Sequence, residues 1–485
     1  MIDIDYLKKA NQHILNNKEI VNPQFKPSFH FAPLIGWIND PNGFSKFNDE
    51  YHLFYQYNPY DAIWGTIYWG HAKSKDGISW EHMPPALAPD QSYDNDGCYS
   101  GSALEKDGKL YVMYTGHVVD EEGNYQENQN IAYSEDGIHF YKYSGNPVLT
   151  SKDIPAGSSK IDFRDPKLFQ RDGIYYCLIG SQTETGEGQV LLYRSYNLLS
   201  WEYVSVFLTA TSGTGKMAEC PDLLSFPDKD YLLVSAVDVK QTHETISHIS
   251  YVFEGKVDWD SFTFIPTKFR PIDHGLDFYA PQTLKEDDHY LMIAWMQHWR
   301  RTFPTQERNH HWLGQMTLPR VITEENGILK QRVIDSIQDY CKEINEEKNK
   351  KVWGYELLSS SFVNYLHLEI TSSNLTDFSL SWENEFEQIS LGYEKEKQEL
   401  FFNRGKLKQK IYEAENEISS ACVSYPNTKQ KLVLDCYIDT SSIEVIVNGC
   451  ESITSTFYFS ESPTKLVWQS TELVILDKYV AAKIK

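Results

Sequence analysis

The sequence predicts an all-β fold, a five-bladed β-propeller followed by a C-terminal β-sandwich. Three observations carry that expectation. Five segments share one plan, a strand, a tight turn and an aromatic-rich strand; the turns are Asn48-Asp49-Glu50, Lys106-Asp107-Gly108, Arg171-Asp172-Gly173, Pro227-Asp228-Lys229-Asp230 and Glu286-Asp287-Asp288. A second signature, Ser74-Lys75-Asp76-Gly77, returns as Ser134-Glu135-Asp136-Gly137 and again as Ser195-Tyr196-Asn197-Leu198, after 60 and 61 residues. That period holds about four strands, the content of one propeller blade, and blades that cannot bury both faces alone stack around an axis. Beyond residue 350 short alternating strands continue without the repeat, over a length that suits a sandwich.

Residues 1–25 read as a helical lead-in, because Tyr6, Ala10 and Ile14 recur at helical spacing and Pro23 ends the run. Residues 26–323 form the propeller, its aromatic strands at 51–55, 110–114, 175–179, 231–234 and 290–294. The Ser-x-Asp-Gly turns are structural, with Asp capping turn amides and Gly supplying positive φ. Residues 324–350 are charged and polar and read as a helical or irregular connector. Residues 351–485 form the sandwich, with strands at 362–370, 389–393, 432–438 and 443–447 and a hairpin turn at Asn448-Gly449. No acidic pair stands out there, so the module reads as structural or oligomerising, and oligomeric state carries no signal.

A chain of 485 residues exceeds one ordinary core and implies at least two domains. Its formal charge of −23 argues against nucleic acid or an anionic membrane as partner, since both need a basic surface. No apolar run reaches the length of a membrane span, and Met1-Ile2-Asp3-Ile4-Asp5-Tyr6 lacks the pattern of a secretory signal. Seven scattered cysteines without CxxC spacing fit neither a disulfide framework nor a zinc site and point to a reducing, cytoplasmic setting. The histidines lack ligand spacing, so neither a metal nor a cofactor is expected.

The chemistry is expected on the repeat. Counted back 10–12 positions from each aromatic strand stand Asp40, Tyr99, Asp165, Glu219 and Tyr279. A fixed offset in a radial repeat is one position around an axis, so three carboxylates should meet at the hub. Asp40, in Trp37-Ile38-Asn39-Asp40-Pro41-Asn42-Gly43, has amide donors beside it, and Asp165 follows Arg164; both features favour an ionised carboxylate. Glu219 is flanked by Met217, Ala218 and Cys220, an apolar setting that favours a proton donor. One ionised and one protonated carboxyl suit glycoside cleavage. Trp37, Trp64, Tyr99, Tyr279 and Trp295 are candidates to stack on a sugar ring, and Asn39, Gln56, Ser100 and Arg164 to bond its hydroxyls. Taken singly, an Asp-Pro is usually a turn and an aromatic is usually core; the shared phase is what raises the set above that reading.

The stretches 37–43, Phe163-Arg164-Asp165-Pro166-Lys167 and Glu219-Cys220-Pro221-Asp222 resemble the three signature motifs of glycoside hydrolase family 32, the β-fructosidases. Supporting similarity lies in His30-Phe31-Ala32-Pro33, Tyr99-Ser100-Gly101-Ser102-Ala103, Asp277-Phe278-Tyr279-Ala280-Pro281-Gln282 and Met316-Thr317-Leu318-Pro319-Arg320, so the likeness spans roughly 26–335. Ile38 and Tyr99 depart from the family's usual residues without removing a chemical group. The resemblance implies retaining hydrolysis of terminal β-fructofuranosyl bonds, with Asp40 as nucleophile, Glu219 as general acid/base and Asp165 as transition-state stabiliser. It implies a small-molecule sugar as partner: sucrose-6-phosphate, sucrose or short fructans. A phosphate would need local cations, for which Lys216, His298, Arg300 and Arg301 are candidates. A fructosyltransferase would use the same triad, and a non-catalytic sugar-binding propeller would keep the aromatics without needing both Asp40 and Glu219.

Overall fold

A computed structural model describes residues 5–240, 246–426 and 431–485; residues 1–4 of the lead-in lie outside the described set. The lead-in helix, Tyr6–Asn17, is capped by Asp5, whose carboxylate accepts from the Lys8 amide at 2.9 Å, and it buries Ala10 and Ile14. No helix among the described residues is long and apolar enough to cross a membrane.

Five antiparallel sheets follow. Their inner strands are Gly36–Phe47, Gly97–Lys106, Ser158–Arg171, Met217–Ser225 and Tyr279–Lys285, and each leads outward through three further strands. The first sheet gains an extra inner member, because Trp312–Leu313 pairs in parallel with Gly36-Trp37 and so ties the fifth blade's connection to the first. The acidic turns behave as turn chemistry requires: Asn48 and Asp49, Asp107 and Gly108, and Asp172 and Gly173 all have positive φ, which matches the twist of a tight hairpin. At the outer turns Asp76 accepts from the Ile78 and Ser79 amides, and the Ser74 hydroxyl accepts from Gly77. The second and third copies repeat these bonds, although Leu198 replaces glycine at φ 71°.

The inner strands share a less obvious device. Each breaks register beside Pro41, Gly101, Pro166, Pro221 or Pro281. A bulge admits an extra residue, bends the strand and re-aims a side chain, and here it does so five times at one height around the axis. Asp165, Cys220 and Ala280 adopt positive φ at these bulges.

Residues 324–350 are mostly strand rather than a helical or irregular connector, with one short 3-10 helix at Asp335–Tyr340. Arg320–Glu325 and Ile328–Val333 form the outer half of the fifth blade, and Cys341–Ser359 is a long strand paired along Lys465–Ile484. Their exposed faces carry the charge that suggested a connector, whereas Leu329, Gln331 and Val333 alternate inward. The C-terminal strands form a ten-stranded sheet that folds into a sandwich over Leu366, Leu380, Trp382, Leu391, Phe402 and Trp468.

Propeller and sandwich meet through buried charge. Arg320 pairs with Asp273 at 3.1 Å and with the sandwich's Glu444 at 2.5 Å, while Arg404 reaches back to Asp277 at 2.5 Å. His30 lies between Asp439 (2.9 Å) and Glu444 (3.0 Å). Burial alone would lower its basicity, but the two carboxylates raise it to about 9.

Candidate active site

The bulges sort the hub into two tiers. Immediately before the proline or glycine stand Asp40, Ser100, Asp165, Cys220 and Ala280; one residue earlier stand Asn39, Tyr99, Arg164, Glu219 and Tyr279. Glu219 therefore belongs to a different tier from the two aspartates, a one-residue offset that counting back from the aromatic strands blurred. On one side of the tiers a small void of about 10 Å³ is lined by the prolines together with Ser100, Asp165, Cys220 and Ala280. Above them opens a cavity of about 310 Å³ lined by Asn39, Asp40, Gln56, Trp64, Tyr99, Arg164, Asp165 and Glu219.

Asp40 accepts from Asn39 Nδ2 at 3.2 Å and from Ser100 Oγ at 2.8 Å. Asn39 is itself fixed, taking a bond from the Trp37 indole N–H at 2.9 Å and donating to Gln56 at 3.1 Å, and Gln56 donates to Ser100. The ring of bonds runs back to Asp40 and allows its carboxylate little freedom. The Asp165 carboxylate accepts from the Cys220 amide at 3.0 Å, and the Cys220 thiol lies 3.7 Å from Asp40 and 3.6 Å from Asp165. Glu219 receives two donors on opposite sides: Arg164 holds Oε1 through Nε (3.1 Å) and Nη2 (2.8 Å), and the Tyr279 hydroxyl holds Oε2 at 2.6 Å. Arg164 is steadied from behind by Glu127 at 3.3 Å.

The electrostatics differ from the sequence reading. Burial, reinforced by the charge of Glu219, pushes Asp40 up to about 6, and the bonds from Ser100, Asn39 and Cys220 offset only part of that. The same two causes push Asp165 well above the carboxylate range, against the opposing pull of Arg164. Neighbouring donors are present as expected, but desolvation outweighs them. Glu219 is not in an apolar pocket; its carboxylate faces a guanidinium and a phenol.

Two proposed sugar contacts are not available to a ligand. Tyr279 is fully buried and spends its hydroxyl on Glu219, and Trp295 is fully buried behind Trp37 and Trp299. Trp37 and Ser100 are also buried and act through Asn39 and Asp40. Trp64, 49% exposed, stands at the mouth opposite Tyr99. The cavity has four further lining residues, His117, Tyr125, Glu127 and Trp299. His117 stacks on Tyr99 at 4.3 Å between ring centres. These four lie outside the inner strands, where the repeat offset gives no signal.

Of the phosphate candidates, Arg301 is committed to Asp277 at 2.8 Å, and buried His298 bonds the backbone carbonyls of Trp299 and His248. Lys216 and Arg300 converge on Asp238, at 3.1 Å and 2.6 Å, and both are substantially exposed.

Comparison with known proteins agrees with this geometry. Residues 30–333 match the N-terminal domain of glycosyl hydrolases family 32, and residues 331–480 match the family's C-terminal domain. A sucrose-6-phosphate hydrolase of Escherichia coli is 34% identical over 451 residues, covering 89% of this chain and 88% of its own. A raffinose invertase of the same species is 35% identical over 449 residues, covering 90% of each. Among solved structures, the Bombyx mori GH32 β-fructofuranosidase superposes with a TM-score of 0.83 at 29% identity, over 99% of this chain and 98% of that one. With both domains matched in order and nearly the whole length covered, the chain is a glycoside hydrolase and belongs to glycosyl hydrolase family 32.

Proposed function

We propose that the chain is a retaining β-fructofuranosidase that releases fructose from sucrose-6-phosphate or sucrose. The observation that carries this reading is the pairing in one cavity of Asp40, locked by Asn39 and Ser100, with Glu219, held between Arg164 and Tyr279.

The reaction needs Asp40 ionised for attack and Glu219 carrying the proton that the leaving group takes. Glu219 passes that proton to the glycosidic oxygen as the bond to fructosyl C2 breaks, and an Asp40 oxygen forms a bond to C2. The leaving sugar departs with the proton. Glu219, now basic, takes a proton from water, whose oxygen attacks C2 and expels Asp40, giving fructose with its original configuration. Asp165 and Arg164 hold ring hydroxyls as positive charge grows on the ring. Proton NMR of the first-formed product tests the stereochemistry: initial β-fructofuranose supports the reading, and an initial α product overturns it. Longer fructosides accumulating at high sucrose, with little free fructose, would make the chain a transferase.

Lys216 and Arg300 favour the phosphorylated substrate. Lys216 lies three residues before Glu219 and Arg300 directly follows Trp299, two residues that line the cavity. Arg300→Ala should lower kcat/KM on sucrose-6-phosphate about tenfold more than on sucrose, the worth of one charge-assisted bond; equal effects remove the phosphate preference. A cytoplasmic location belongs to the same reading, supported by seven free cysteines, four of them buried. Recovery from the soluble cell fraction tests it.

A further inference from the structure

The sandwich carries a second cavity, of about 600 Å³, on the outer face of Cys341–Ser359, Lys465–Ile484, Phe378–Glu383, Gln388–Glu394, Glu399–Asn403 and Ser420–Ser424. That volume is within the ~300–1,000 Å³ of small-molecule sites. Strand register sets one row of residues across this floor in the order Tyr355, Gln469, Ser379, Gly392, Phe401. Two residues along, a second row runs Val467, Ser381, Ser390, Asn403. The alternating Leu380, Leu391, Phe402 and Trp468 point the other way, into the core.

Gly392 decides the shape of this floor. A Cβ there would lie 2.6 Å from the Phe401 ring, so the ring lies across the bare backbone and turns its other face to the groove. Tyr355, 65% exposed, is braced by its hydroxyl's bond to Glu383 at 2.8 Å. Four strand steps separate the two rings, about 19 Å at ~4.8 Å per step. Between them Ser379, Ser381, Ser390 and Gln469 have no side-chain hydrogen-bond partner among the described residues. Ser381 is only 9% exposed, and its hydroxyl opens on the groove.

Aromatic faces at either end of a strip of neutral hydroxyl and amide groups match a sugar chain, whose C–H faces stack and whose hydroxyls both donate and accept. Charge excludes anions: Glu383, Glu394 and Glu399 line the groove, and Lys397, one of its two cations, is tied to Glu394 at 2.6 Å. A peptide adding to a sheet needs a free strand edge, and this groove is a sheet face. We propose that the outer face of the sandwich binds a neutral oligosaccharide between Tyr355 and Phe401, as a holding site separate from the catalytic cavity.

Affinity electrophoresis in gels containing inulin or soluble starch tests this, using the Asp40→Asn chain with saturating fructose in the running buffer to occupy the hub. Retardation by at least one polymer should persist, and Tyr355→Ala and Phe401→Leu should each weaken it at least fivefold. In the otherwise unaltered enzyme the same two substitutions should leave kcat/KM on sucrose unchanged. Retardation that fructose abolishes, that both substitutions spare, or that neither polymer produces overturns the proposal. So does a dimer, seen by light scattering, that both substitutions dissociate, since the face would then join two copies. Fructose released by the Asp40→Asn chain itself would indict the catalytic assignment and leave the groove's test standing.

Discussion

Replacing Asp40 by asparagine should destroy turnover and stabilise the fold. The carboxyl moves from an ordinary 3.8 to about 6 on folding, chiefly through burial. At about 1.36 kcal/mol per pH unit this displacement is worth about 3 kcal/mol. Because the folded value is the higher one, the group favours folding below about pH 4, and that contribution is lost as pH rises through about 6. At neutral pH the native enzyme therefore holds a buried charge that asparagine would not carry, while Asn39 and Ser100 remain as partners. For a cooperative unit of roughly 300 residues, about 3 kcal/mol raises Tm by roughly 4–5 °C. Differential scanning calorimetry of both proteins from pH 5 to 8 reads it directly: the gain should be smaller at pH 5, grow to about pH 6 and stay level above. Turnover should fall about 10³-fold or more. A gain that is absent, or equally large at pH 5 and pH 8, would refute the argument that burial sets the state of this carboxyl.

The acid limb of kcat/KM against pH should fall as pH drops through about 6, and Cys220→Ala, which removes a thiol near Asp40, should move that limb to higher pH; an unmoved limb would show that the thiol contributes nothing. Tyr279→Phe removes one of the donors to Glu219 and should lower kcat/KM on sucrose roughly 10–100-fold, the ~1.5–3 kcal/mol of a bond to a charged group, with the thermal transition little changed. At the domain seam, His30 has its folded value raised to about 9 from an ordinary 6.5, so its stabilisation is complete below about 6.5 and is lost as pH rises through 9. His30→Gln should therefore flatten the decline in Tm between pH 7 and 9.5 that the parent shows. Arg320→Met strands Asp273 and Glu444 and should cost about 3–5 kcal/mol; calorimetry showing an unchanged Tm would exclude a structural role for that pair.

The propeller was legible because turn chemistry is local: an Asp-Gly turn needs positive φ wherever it occurs, and its spacing repeats with the blade. The three carboxylates were legible for the same reason, since the bulge that aims them is built by a neighbouring proline. What the spacing could not resolve was the one-residue difference that puts Glu219 with Arg164 and Tyr279. Tyr279 and Trp295 were misread because an aromatic on an inner strand has the same sequence signature whether it faces the pit or packs behind it. Trp299 and His117 left no trace, as they reach the cavity from segments outside the repeating offset. The strand at 341–359 was hidden by its own position: a sheet edge facing water carries lysine and glutamate, which reads as a connector.

Two sets of equally buried acids separate function from structure in this molecule. Asp273, Asp277, Asp439 and Glu444 are as desolvated as Asp40 and Asp165, and burial pushes all of them upward. At the seam, Arg320, Arg404 and His30 more than offset that push and hold each acid below its ordinary range. At the hub the offset is incomplete: Arg164 is shared among Glu219, Glu127 and Asp162, and the groups that donate to Asp40 are neutral while the charge of Glu219 opposes its ionisation. An enzyme gains nothing from an acid at the seam that changes its charge, and everything from one at the hub that does. Among these six acids, incomplete compensation of buried charge separates the hub from the seam without reference to any motif.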